Sequence, residues 1–153
     1  MYLGFGLGPA TGVWGCVADA LADICRAHGL GPILKWVDDF IFFSVPLSSL
    51  DKVNAARASL ASTITGQQSR DGVTFFAGEA GVEHVEDYSF PLQNHCAATS
   101  DDLVTSLSAI TAVTASLGVP WKREKDVDFS SSPTYIGFQW FIAERRVGLP
   151  DKK

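Results

Sequence analysis

No run of 18 apolar residues occurs in this sequence, and its start lacks a basic segment followed by an apolar one. A membrane span and a secretory leader are therefore not expected, and an intracellular location, cytoplasmic or nuclear, is. Positive charge is also scarce: 12 Lys and Arg stand against 17 Asp and Glu, for a net charge of −5. Domains that bind nucleic acid unaided carry a basic face, so this balance argues against a free-standing binder. Cysteine is sparse and odd in number. Cys16, Cys25 and Cys96 match neither a zinc ribbon nor a Cys-x-x-Cys pair, and they read as buried thiols. His28, His84 and His95 fit no zinc spacing with Cys96 either. Repeats and low-complexity tracts are missing altogether.

What remains is the composition of an ordinary globular domain, 153 residues with 46% hydrophobic and 19% charged. The opening "MYLGFGLGPAT" reads as a glycine-rich loop. A helix is predicted from Gly12, capped by Thr11 and stopped by Gly29, with Val13, Val17, Leu21 and Ile24 inward. Residues 33–45 are rich in β-branched and aromatic side chains and predict two strands joined at Asp38 and Asp39. A helix over 48–65 would bury Leu50, Val53, Ala56, Leu60 and Ile64. Residues 66–99 read as an insertion with a short strand at "GVTFF" and an acidic loop holding Glu79, Glu83, Glu86 and Asp87.

A further helix, capped by Ser100 or Asp101, runs through Leu103, Leu107, Ile110 and Leu117 and is closed by Gly118 and Pro120. Thr134 to Ile142 reads as one strand, turned by "AERR" into a second at "VGL". The expected class is α+β, an antiparallel sheet with helices packed on one face.

The stretch "LKWVDDFIFF" places two acids within an apolar run. Buried ionised carboxylates cost several kcal/mol unless compensated, so the pair needs either an exposed turn or a cation. Adjacent side chains on a strand point to opposite faces and converge only where the chain bends. Magnesium and manganese are commonly held by one or two carboxylates together with substrate phosphates. A solvated turn is the plain alternative.

"WVDDF", Trp36 to Phe40, resembles the catalytic motif C of reverse transcriptases, with Trp36 where most members have tyrosine. "FGLGPATGVW" is similar to motif B, "LGVPWKREKD" to motif D and "TYIGFQWFI" to motif E, in the family's order. The resemblance, of retroelement and fungal-like type, implies that residues 1–153 are a partial palm domain of the DNA/RNA polymerase superfamily, holding motifs B to E only. Residues 1–30 would be the motif B loop and helix, 33–45 the motif C hairpin and 46–100 a helix plus insertion. Residues 101–126 would be a helix and motif D, and 134–149 the motif E hairpin.

The resemblance further implies template-directed nucleotidyl transfer by two metal ions, Mg2+ or Mn2+. Asp38 and Asp39 would be the catalytic metal ligands, Asp38 the main one and Asp39 its neighbour of lesser role, and Lys125 would lie near the leaving pyrophosphate, stabilising charge or donating a proton. Phe5, Gly6, Leu7, Gly8 and Pro9 would shape the nucleotide and template pocket. Template-primer and dNTP are the implied partners of the intact enzyme. Motif A, which carries a further aspartate, and the fingers would precede motif B, so the expectation is that this chain does not polymerise alone. Two other readings are carried: a degenerate palm fragment acting as an interaction module, and an unrelated magnesium-dependent phosphoryl-transfer domain.

Overall fold

Pro9 falls in the first turn of a helix, where its missing N–H is no loss, and α1 runs Gly8–Ala27. The helix thus begins before Gly12, and Thr11 lies within it rather than capping it. The computed structural model describes residues 8–70, 73–96, 103–119 and 121–150, with backbone alone for 8–11. The buried stripe of α1 is Ala18, Leu21, Ala22 and Cys25, whereas Val13 and Val17 are about half exposed, at 49% and 51%. The strands beneath are only four residues long, so they cover the C-terminal half of the helix and leave the first turns open. Cys16, in that open half, is exposed and Cys96 is intermediate, so only Cys25 is a buried thiol.

Gly29 ends α1 as expected. Its φ is 72°, its N–H donates to the Arg26 oxygen at 2.8 Å, and an added Cβ would collide with Gln93. The chain then enters an antiparallel hairpin, β1 Ile33–Trp36 and β2 Asp39–Phe42, with Trp36 opposite Asp39. The turn is therefore Val37 and Asp38, one residue earlier than the sequence pattern indicates.

Leu47–Ser49 form a 3-10 turn and α2 follows over Leu50–Ala61, shorter than the expected 48–65. Its single buried side chain is Arg57; Ala56 and Leu60 are exposed. The inversion has a physical cause. The segment facing α2 is irregular backbone from Asp87 to Leu92, whose polar groups need partners more than it needs apolar cover. Arg57 donates to the Asp87 and Phe90 oxygens, and Asn54 bonds both the N–H and the C=O of Leu92.

The 66–99 region holds more structure than one strand. β3 Gly66–Arg70, β4 Val73–Ala77 and β5 Glu83–His84 form an antiparallel sheet. α3 spans Leu107–Thr114 and is capped by Ser106, whose hydroxyl accepts from the Ala109 N–H at 3.2 Å. Leu103 lies outside it, bridged to Pro46, while the expected caps Ser100 and Asp101 are outside the described residues. The C-terminal segment is β6 Thr134–Tyr135, β7 Phe138–Phe141 and β8 Arg146–Gly148. The expected single strand is broken at Ile136 and Gly137, both at positive φ, as a two-residue hairpin turn requires.

Leu21, Ala22, Cys25, Leu30, Ile33 and Ile110 form the core, flanked by Phe40, Phe42 and Trp121. The class is α+β. Among the described residues its antiparallel strands form three small sheets, of two, three and three strands, instead of one continuous sheet. No helix among the described residues is long and apolar enough to cross a membrane.

Candidate functional site

Strand parity decides where the two acids point. Ile33 pairs with Phe42 and Lys35 with Phe40, so these four share one face, and that face carries the core contacts of Ile33, Phe40 and Phe42. Leu34, Trp36, Asp39 and Ile41 share the other. Asp39 therefore stands on the outward face opposite Trp36, which is 63% exposed, and Asp38 occupies the turn beside it. Both aspartates are exposed, and neither forms an ion pair among the described residues.

The cation within the hairpin is committed elsewhere. Lys35 Nζ lies 2.7 Å from Asp19 Oδ1 of α1 and donates to the Gly15 oxygen at 3.5 Å. The acid pair thus keeps its oxygen donors open. Two adjacent hard-oxygen ligands with no cation of the described residues against them fit a divalent ion that also takes oxygens from phosphate or water. Among the described residues no group of three His, Cys, Asp or Glu side chains stands together, so this pair offers an incomplete ligand set.

Val37 leads into the acids at φ 55°. A β-branched side chain seldom adopts that conformation, and holding it costs about 1–3 kcal/mol. Two contacts brace the hairpin below the tip. Phe40 meets Trp121 edge to face at 5.7 Å between ring centres, and Trp121 Nε1 donates to Thr114 Oγ1 of α3 at 2.8 Å. Tyr135 of β6 donates its hydroxyl to the Asp39 main-chain oxygen at 3.2 Å. The motif D-like and motif E-like segments thus both touch the motif C-like hairpin through aromatic residues. No protein family, curated protein or solved structure matches the chain.

Other expected site residues are not gathered at the acids. Lys125 is exposed in a 3-10 turn, Arg123–Lys125, and makes no bond to Asp38 or Asp39 among the described residues. Phe5, Gly6 and Leu7 lie outside the described residues, and Gly8 and Pro9 are backbone in the first turn of α1. A groove of about 330 Å³ is lined by Asn54, Arg57, Ala58 and Tyr88 among others, away from the hairpin. Its one cation, Arg57, already serves backbone carbonyls.

The sequence pattern hides one cluster entirely. Glu86, assigned to an acidic loop, is 7% exposed and lies between Arg57 at 2.9 Å and Arg26 at 3.5 Å. Nothing in "GVEHVEDYS" distinguishes Glu86 from its exposed neighbours, because its partners come from two distant helices. The signal available was Arg57 itself, a long cation set among the small residues Ala55, Ala56, Ala58 and Ser59.

Proposed function

We propose that this chain forms part of the palm of a template-directed nucleotidyl transferase resembling the reverse transcriptases of retroelements, with Asp38 and Asp39 as metal-bearing carboxylates. The observation that carries the reading is the hairpin: a two-residue turn presents both acids to solvent, with no cation among the described residues paired to them, above a strand pair anchored in the core. The contacts of Trp121 and Tyr135 with this hairpin support it, since they bring the motif D-like and motif E-like segments to the same place.

Bound Mg2+ or Mn2+ would supply charge for the attacking and leaving oxygens of phosphoryl transfer. Asp38 and Asp39 would hold it, and a further carboxylate from beyond the described residues would complete the set. Lys125, exposed and unpaired among the described residues, would be drawn to the leaving pyrophosphate by charge. Template-primer and dNTP are the corresponding partners.

Titration of Mn2+ by calorimetry is the direct test. The protein should show weak binding that Asp38→Asn removes, and binding unchanged in that variant would overturn the assignment of the site. Joining an N-terminal segment that carries a motif A aspartate should then give manganese-dependent primer extension. A folded extended protein that incorporates no nucleotide would sink the catalytic reading.

A further inference from the structure

We propose that Glu86 and Arg26 are positioning residues for the acidic hairpin, satisfying its outer edge at the root in place of a neighbouring strand. The proposal goes beyond the site itself, and only its consequence for metal affinity rests on the functional reading above.

In an antiparallel ladder, alternate residues turn their backbone groups toward the partner strand. The Phe43 N–H donates to the Pro32 oxygen at 2.8 Å, which fixes the parity: Pro32, Leu34 and Trp36 face β2, while Ile33 and Lys35 turn outward. Ile33 is fully buried, so its outward N–H and C=O cannot be left to water. The N–H donates to Glu86 Oε2 at 3.4 Å and the C=O accepts from Arg26 Nη2 at 3.2 Å. Arg26 Nε is 3.5 Å from that same carboxylate oxygen. One acceptor and one donor, paired with each other, thus face Ile33 as the peptide groups of an adjacent strand would.

Arg57 has a different part. Its Nη2 is 2.9 Å from Glu86 Oε1, yet its hydrogen bonds go to the Asp87 and Phe90 oxygens at 2.9 and 3.0 Å. Oε1 receives charge without an aligned hydrogen bond. Among the described residues, the one aligned bond that Glu86 accepts is the one from Ile33. Arg57 balances the charge, while the directed interaction of the carboxylate is spent on the hairpin root. A two-stranded sheet is marginal by itself, so a fixed root governs how firmly Asp38 and Asp39 are held at the other end.

Site-resolved amide hydrogen exchange separates positioning from general stability. Glu86→Gln keeps the shape and an acceptor oxygen but weakens the hold of both guanidiniums. Arg26→Lys keeps the charge but loses the fork that reaches the Ile33 oxygen. In each variant the ladder amides of Leu34, Trp36, Asp39 and Ile41 should exchange about tenfold faster, while those of α3 change less than about twofold. Mn2+ affinity should fall with them.

Unchanged exchange in the hairpin would overturn the proposal. So would a uniform acceleration of hairpin and α3, which would make the cluster a general stabiliser. If Glu86→Gln does not fold, Arg26→Lys decides by the same comparison. Absence of Mn2+ binding by the unaltered protein would defeat the functional reading instead, and the exchange comparison would still decide the role of Glu86 and Arg26.

Discussion

The hydroxyl of Tyr135 donates to the main-chain oxygen of Asp39 at 3.2 Å, tying two residues 96 positions apart in the chain. Burial, and after it the charge of Asp39, push this phenol up from 10 to about 12, with a backbone hydrogen bond to Trp36 acting the other way. The proton that makes the bond is therefore firmly held at neutral pH.

Asp39→Asn should lower the Tyr135 ionisation, because it removes one of the two causes of the rise; an unchanged alkaline titration by NMR would show that the charge is not felt there. The sign of the stability effect follows. The unfolded chain releases this proton near pH 10 and the folded one near 12, so the stabilisation is complete below pH 10 and is lost as pH rises through about 12. Tyr135→Phe should remove that alkaline component and cost about 1 kcal/mol at neutral pH by denaturant melts.

Arg57 is the buried cation on which the middle of the chain depends. Arg57→Ala would leave Glu86 short of a counter-charge and strip donors from the Asp87 and Phe90 carbonyls. A loss of about 3–5 kcal/mol is expected in urea unfolding. A loss below about 1 kcal/mol, the range of surface ion pairs, would place Glu86 in water.

Val37 should respond in the opposite direction. Val37→Gly relieves a β-branched residue at φ 55° while adding backbone freedom to the unfolded chain, and the net should be a gain of about 1 kcal/mol. Thermal melts of the two proteins would measure it. A loss would mean that the valine side chain contributes packing which outweighs its strain.

The cysteines should separate cleanly by reactivity. Burial raises the Cys25 thiol to about 11, with Arg26 pulling slightly downward, whereas Cys16 lies exposed on α1. An aromatic disulfide reagent at pH 8 should therefore modify Cys16 in the folded protein and reach Cys25 only on unfolding. Mass spectrometry of the labelled peptides checks the order, and prompt labelling of Cys25 would refute the packing of α1 on β1.

The hairpin was legible because its residue types, β-branched and aromatic around one polar point, leave few other choices. Gly29 was legible for a similar reason, since a left-handed residue after a helix calls for glycine. The turn was misplaced by one residue because Val37 has no turn propensity; the ladder register, which no local pattern carries, forces it there. β3 was hidden because "GQQSR" is exposed along its whole length and shows no apolar alternation. The face of α2 was inverted because burial there follows the donors that distant carbonyls require. The placement of Asp38 and Asp39 at the end of a hairpin could be read from the sequence, whereas the contacts that brace that hairpin, from Tyr135, Glu86 and Arg26, could not: each acts on a backbone atom, and main-chain partners leave no trace in side-chain spacing.

The parity of the β1–β2 ladder also restricts how this hairpin can change in length. Removing one residue from each arm between root and tip would turn Asp39 and Trp36 onto the face that packs into the core or, if the tip kept its face, break the match of Ile33 with Glu86 and Arg26. Adding or removing two residues in each arm preserves the faces. The acid pair therefore sits on an element that can be lengthened or shortened only by two residues in each arm.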